Sequence, residues 1–193
     1  EAILKAAKAV FAEKGLLTAT IDDVAQRAEV AKGTIYLHFK AKEEMFTALM
    51  DEGLQLVGKR FSEAVDLTLP ADENLRRLCD AYCRLYREEQ QYFKLLFFCS
   101  HADVRAKTCA NPSECQGLPP LAALIQKGID EGTFSPTVDP AKAAAIAWGA
   151  SNGIILMFEQ ELQGSARFNH PIEDLLRTNM ELLIRGLKAK NSD

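Results

Sequence analysis

The 193-residue sequence lacks an excess of basic residues, a long uncharged stretch and a dense set of cysteines. Its net charge of −4 argues against indiscriminate nucleic-acid binding, which depends on a broad basic surface. The longest uncharged run, residues 143–158, contains two glycines and an asparagine, so we expect a buried helix and no membrane span. Five cysteines without regular spacing do not indicate a secreted disulfide framework, and we expect a cytoplasmic protein.

The alternation of apolar and polar residues that marks sheet strands is also missing, and helical periodicity dominates. The sequence therefore predicts an all-α fold. A first helix over residues 1–14 is predicted to stop at Gly15. Further helices are predicted over residues 42–65, 72–89, 91–99, 121–131, 140–163 and 172–190. Residues 100–120, rich in proline, read as a long irregular connection.

Residues 20–42 have the pattern of two short helices around a tight turn. Thr20 can cap the first helix, with acidic residues in the first turn, where the helix dipole favours them. The second helix is expected to bury Ile35 and Phe39 and to direct its polar side chains away from the core. Between residues 27 and 42 there are four lysines or arginines against one acid, Glu29. A positive helix rich in hydrogen-bond donors is typical of a DNA-reading element.

Together these segments resemble the amino-terminal DNA-binding domain of the TetR family of transcriptional repressors. The matching pieces are residues 3–7, 11–15, 20–25, 32–36, 38–39 and 42–46. The resemblance implies a three-helix helix-turn-helix DNA-binding domain over residues 1–46. A helical bundle for effector binding and dimerisation would follow over residues 47–193. Past about residue 50 the resemblance lies mainly in the layout of helices.

The resemblance also implies which residues contact DNA. The residues closest to the bases would be Lys32, Gly33 and Thr34. Contacts to phosphates would come from Thr20, Tyr36, His38 and Lys42.

Three residues depart from the family pattern. Glu29 stands where a turn glycine is usual, and Ala31 replaces a serine that commonly caps the reading helix. Ala41 replaces the usual cap of the fourth helix, a loss of about 1 kcal/mol if nothing compensates.

Two further groups of residues point to partners other than DNA. For a homodimer built from the last two helices, the implied interface residues are Ala145, Gly149, Gly153, Leu175, Leu176 and Leu183. For a small apolar or aromatic effector, the residues expected to line a pocket are Tyr82, Tyr86, Phe93, Phe97, Trp148 and Asn152. No cofactor or metal is expected.

The sequence thus predicts a homodimeric repressor that an effector releases from a palindromic operator in double-stranded DNA, and not an enzyme. Three alternatives stay open. A thiol or metal sensor could use Cys79, Cys83 and the group Cys99, His101, Cys109 and Cys115. Residues 149–153 formally match a hydrolase nucleophile elbow around Ser151, although the context is helical. A helical interaction module without DNA binding is the third alternative.

Overall fold

A computed structural model describes residues 1–98, 118–161 and 170–188, and within these ranges the chain is helical. The helices are α1 (Ala2–Lys14), α2 (Ile21–Arg27), α3 (Lys32–Tyr36), α4 (Lys42–Ala64), α5 (Ala71–Glu88), α6 (Gln90–Phe98), α7 (Leu118–Asp130), α8 (Pro140–Glu161) and α9 (Ile172–Leu187). Extended pairing in the described ranges is limited to an isolated bridge between Phe134 and Lys188. The predicted all-α fold is confirmed.

Helix α7 begins earlier than the sequence predicts. Residues 118–120 were expected to be irregular because two consecutive prolines precede Leu121, yet they form the first turn of α7. Proline is tolerated there, since the amide hydrogens of a first turn have no acceptor within the helix. That part of the prediction is wrong, and residues 100–117 lie outside the described ranges.

The first compact unit contains residues 1–55 together with residues 89–98 of the described chain. Helix α1 packs on α2 and α6, and α2 packs on α3. Its core centres on Phe11 and Phe46, whose ring centroids are 6.3 Å apart, and includes the fully buried Ile35. This core fixes the short helices α2 and α3, which are too short to be stable alone.

The second unit contains residues 56–88, 118–161 and 170–188. Helix α8 packs on α7 and α9, while α5 packs on α7 and α9. Asn74, fully buried, replaces missing backbone partners: its Oδ1 accepts from the Asp66 amide at 2.8 Å and its amide group donates to the Leu69 carbonyl. Helix α4 contributes residues to both units, and the domain division at residue 46 stays a prediction.

Helix α8 is only partly covered within the subunit. In the described chain it contains the one segment, Pro140–Glu159, that is long and apolar enough to cross a membrane by length and composition alone. One side of it packs on α7 and α9 and forms hydrogen bonds to tyrosines of α5. The opposite side exposes Ile146 and Met157. A helix packed on one side and apolar on the other fits a surface that another protein chain covers.

Candidate nucleic-acid interface and ligand cavity

Helix α3 presents a polar surface because one residue anchors it. The Ile35 side chain is fully buried against the core of the first unit. Its neighbours therefore point outward: Lys32 and Gly33 are exposed, Tyr36 is 50% exposed and Thr34 is half-buried. His38, just beyond the helix, is exposed as well. The structure thus brings the predicted base-contacting residues together on one accessible face.

The N-terminus of α2 carries the cap that the sequence predicts. The Thr20 hydroxyl accepts a hydrogen bond from the Asp23 amide at 3.1 Å, and the Asp23 carboxylate accepts from the Thr20 amide at 2.9 Å. This reciprocal pair satisfies two amides that the helix leaves without a partner. Lys14 donates to the same carboxylate at 2.6 Å. The Lys14 and Thr20 hydrogen bonds lower the pKa of Asp23 to about 2.

The turn between α2 and α3 has a left-handed residue where the sequence departs from the family pattern. Of the non-glycine residues that the structure describes, Glu29 is the one with a positive φ, at 55°. An L-residue with a Cβ pays a conformational cost in this region, which explains why glycine is usual at this position. Ala31, at the start of α3, makes no side-chain cap. The turn forms despite both departures.

Two lysines of the predicted interface are already engaged in the free protein. Lys32 Nζ lies 2.8 Å from Asp22 Oδ2 in an exposed ion pair. Lys42 Nζ donates to the carbonyls of Leu17 at 3.0 Å and Ala19 at 2.8 Å, so it holds the loop between α1 and α2. An ammonium has three donors, and one therefore stays available for a phosphate. Sequence reasoning missed this structural role, because the partners are more than 20 residues away.

The start of α4 is capped from within the helix. Glu44 Oε2 accepts from the Lys40 amide at 2.6 Å. This bond replaces the contribution that Ala41 cannot make, and the acidic first turn of Glu43 and Glu44 suits the helix dipole. The α4 start is thus stabilised despite its unusual capping residue.

The second unit contains a cavity lined by aromatic side chains. Trp148 lies with its ring centroid 5.6 Å from that of Tyr82 and 6.4 Å from that of Phe61. The cavity measures about 30 Å³, room for about two water molecules. Other residues that line it include Cys79, Leu121, Ser151, Leu176 and Met180. A ligand larger than water must therefore push these side chains apart.

Two tyrosine hydroxyls of α5, one of them at this cavity, form hydrogen bonds to side chains of α8. Tyr82 donates to Asn152 Oδ1 at 2.9 Å, and Tyr86 donates to the buried carboxylate of Glu159. Burial raises the pKa of both hydroxyls, so both remain protonated donors. Glu159 was not among the predicted pocket residues, because its partner lies 73 positions away and no local pattern marks it.

The six predicted pocket residues do not all lie in one unit. Tyr82, Tyr86, Trp148 and Asn152 belong to the second unit, as described above. Phe93 is buried in the first unit. Phe97 lies on α6, and its side chain is outside the described residues.

The predicted dimer residues lie on α8 and α9, but with different exposure. Ala145 and Gly149 are exposed, Gly153, Leu175 and Leu183 are half-buried, and a Cβ at either glycine would meet no atom within 4 Å. Leu176 is only 2% exposed because it faces the cavity, so we leave it out of the interface that we propose. The exposed apolar residues that sequence reasoning missed are Ile146 at 66%, Met157 at 52% and Leu182 at 62%.

The alternatives from the sequence can be located as well. Ser151 lies inside α8, and its hydroxyl accepts from Asn179 at 3.3 Å, so the strand and sharp turn of a nucleophile elbow do not surround it. The described residues contain no group of three or more His, Cys, Asp or Glu side chains able to hold a metal ion. Cys99, His101, Cys109 and Cys115 lie outside the described residues.

Comparison with known proteins gives matches over nearly the whole chain. Residues 3–49 match the family described as "Bacterial regulatory proteins, tetR family". The uncharacterized HTH-type transcriptional regulator YhgD of Bacillus subtilis is 30% identical over 190 residues, which cover 97% of this chain and 95% of that protein. The HTH-type transcriptional repressor KstR2 of Mycobacterium tuberculosis H37Rv is 30% identical over 147 residues, or 71% of this chain and 70% of the repressor.

Among solved structures, the fold is similar to that of the transcriptional regulator FadR from Bacillus subtilis in complex with stearoyl-CoA. The TM-score is 0.82 at 24% sequence identity, with 96% of this chain and 98% of that chain covered. At this identity the likeness shows a shared fold.

Proposed function

The chain belongs to the TetR family of bacterial transcriptional regulators, and from this premise we propose that it is a homodimeric repressor released from a palindromic operator by an effector. The observation that carries the proposal is the exposed polar face of α3, held outward by the buried Ile35. Such a helix can enter a major groove and present donors to base edges. Because the proposed partner is an operator in bacterial DNA, we also propose that the protein is cytoplasmic.

For DNA recognition, we assign base contacts to Lys32, Gly33 and Thr34. Gly33 is exposed, and a Cβ there would meet nothing within 4 Å, so its role is to admit DNA rather than to pack. Lys32 must exchange Asp22 for a base or phosphate when DNA binds. The remaining contacts, to phosphates, are assigned to Thr20, Tyr36, His38 and Lys42.

Dimerisation would cover the apolar sides of α8 and α9. Ala145, Gly149 and Gly153 recur every four residues along α8 and let a partner helix approach closely. Ile146, Met157 and Leu182 supply apolar area that is exposed in the single subunit. A two-fold pair of subunits is what two half-sites of a palindromic operator require.

The effector site that we propose is the aromatic cavity around Tyr82 and Trp148. The cavity of about 30 Å³ is small, so a larger effector would have to move the side chains that line it, including Tyr82, whose hydroxyl is bonded to Asn152. The lining suits an apolar or aromatic molecule. Because the similar FadR structure holds stearoyl-CoA, an acyl thioester is the first effector to test.

A binding titration tests the DNA part of the proposal. The duplex upstream of the protein's own gene should bind specifically, and the affinity should fall steeply with salt. Lys32→Ala and Thr34→Val should weaken the cognate duplex more than a random one, while Tyr36→Phe should weaken both alike. Lys59→Ala, an exposed lysine of the second unit, is the matched control and should change neither.

Results of that titration also separate the alternatives. An absence of specific binding under all salt conditions would favour the interaction module and contradict the repressor.

Two further measurements test the dimer and the effector site. Sedimentation of the free protein as a single subunit at micromolar concentration would contradict the dimer. Release of DNA by stearoyl-CoA in the unchanged protein, lost in Trp148→Ala, would support the cavity as the effector site.

A further inference from the structure

Two buried thiols lie one turn apart on α5. Cys79 and Cys83 are spaced four residues apart, which places them on the same side of the helix. Both are free cysteines and both are buried. The two sulfurs are therefore neighbours that can act on one ligand atom.

The surroundings of this pair provide both access and activation. Cys79 lines the aromatic cavity together with Leu176 and Met180 of α9. Arg177 of α9 bonds Asp80 at 2.9 Å beside the pair. The neighbouring Cys79 thiol and the Arg177 charge lower the pKa of Cys83, against the opposing effects of burial, Asp80 and Glu173. A thiol favoured as thiolate is the better nucleophile.

The number and spacing of the sulfurs restrict what this site can take. A structural zinc ion needs four ligands, and the described residues contain no group of three. A direct disulfide needs Cβ atoms about 3.5–4.5 Å apart, whereas side chains four apart on a helix have Cβ atoms about 5–6 Å apart. An inserted atom that bonds both sulfurs spans this gap without unwinding the helix.

We propose that Cys79 and Cys83 form a chelating dithiol site for monosubstituted trivalent arsenicals. Such a compound has one carbon substituent and two exchangeable oxygens, so its two open valences match two sulfurs. With methylarsonous acid, two arsenic–oxygen bonds break and two arsenic–sulfur bonds form. Two water molecules leave with the two thiol protons, and arsenic stays trivalent. The soft sulfur donors suit this soft acceptor, and the methyl group is small enough for the adjoining cavity.

A variant that keeps only this pair provides the test. In Cys99→Ser, Cys109→Ser, Cys115→Ser the two remaining cysteines are Cys79 and Cys83. The folded variant is incubated with methylarsonous acid, and intact mass spectrometry counts the arsenic bound. We expect one arsenic per chain. The adduct should survive excess glutathione, a monothiol, and disappear with a dithiol, because a chelate outcompetes single thiols.

Further substitution in this background distinguishes chelation from single attachment. Adding either Cys79→Ser or Cys83→Ser should abolish the glutathione-resistant adduct, with the helical circular-dichroism spectrum unchanged. Circular dichroism of the parent variant confirms that it is folded. An adduct that persists in either single-serine variant overturns the proposal. So does a folded parent variant that binds no arsenic, or one that binds it only after denaturant is added.

Discussion

The ammonium of Lys8 lies 4.0 Å from the centroid of the Tyr92 ring, which joins α1 to α6 in the first unit. The same ring packs against α4, where a Cβ added at Gly53 would come within 3.1 Å of Tyr92 Cδ1. Burial, together with the nearby Glu52 carboxylate, raises the pKa of the Tyr92 hydroxyl. One side chain of α6 thus contacts two helices of the first unit, α1 and α4.

Replacing Lys8 by methionine should lower the free energy of unfolding by about 0.5–1 kcal/mol, because the cation–π contact is lost. Guanidinium unfolding measures this. In a Tyr92→Leu background the same substitution should cost less, since the ring is gone. Equal costs in both backgrounds would mean that Lys8 stabilises the unit in another way, such as its ion pair with Glu89.

Gly128 in α7 should not tolerate alanine. A Cβ there would overlap the buried Phe134 ring and lie 2.9 Å from the Ala71 Cβ. We expect Gly128→Ala to destabilise the protein by about 1–3 kcal/mol through overpacking, although alanine favours helices. Thermal unfolding provides the measurement. Phe134→Leu should reduce this penalty, whereas an undiminished cost would place the clash elsewhere.

Glu29→Gly should stabilise the protein by about 1 kcal/mol, because glycine adopts the positive φ of this turn without a Cβ penalty. Chemical denaturation checks the gain. Glu29→Val is the matched opposite and should destabilise, since a β-branched residue fits this backbone poorly. Stabilisation by valine would contradict a left-handed turn.

The Asp23 carboxylate should stabilise the first unit in a pH-dependent way. Its folded pKa of about 2 lies below the unfolded value of about 3.9. The contribution is therefore complete above pH of about 4 and is lost as the pH falls toward 2. The difference in melting temperature between wild type and Asp23→Asn should shrink over this range. With Asp51→Asn, an exposed carboxylate of α4, no such narrowing is expected.

If Lys32 contacts DNA, its partner in the free protein restrains binding. Asp22→Asn removes an exposed ion pair and a negative charge near the duplex. We expect about threefold tighter binding to cognate and random duplexes alike, measured by fluorescence anisotropy. Asp51→Asn again serves as control. Weaker binding by Asp22→Asn would indicate that the ion pair orients Lys32 for DNA.

Local signals account for much of what the sequence predicted. The Thr20 cap depends on residues within three positions of each other, and its hydrogen bonds are present. The end of α1 before Gly15 follows from a local signal in the same way. The left-handed backbone of Glu29 gives a physical reason why the family pattern has glycine at this position.

Other features depend on residues far apart in the chain. The bonds of Lys42 to the loop before α2, of Tyr86 to Glu159 and of Lys8 to Tyr92 leave no local pattern. Periodicity marked Leu175, Leu176 and Leu183 as apolar positions of one helix, but which of them faces the core depends on how α9 packs. The sequence could therefore predict the helices and the exposed polar face of α3 better than the cavity and the hydrogen bonds beside it.

The small volume of this cavity also determines how ligands of different size must behave. Expanding it requires moving the aromatic side chains that line it, and the free energy of this movement lowers the affinity of any bulky ligand. A compound small enough to fit the existing space binds without this loss of free energy and does not move the helices. Compounds of this kind would compete with the effector for the cavity without causing the conformational change that the effector causes.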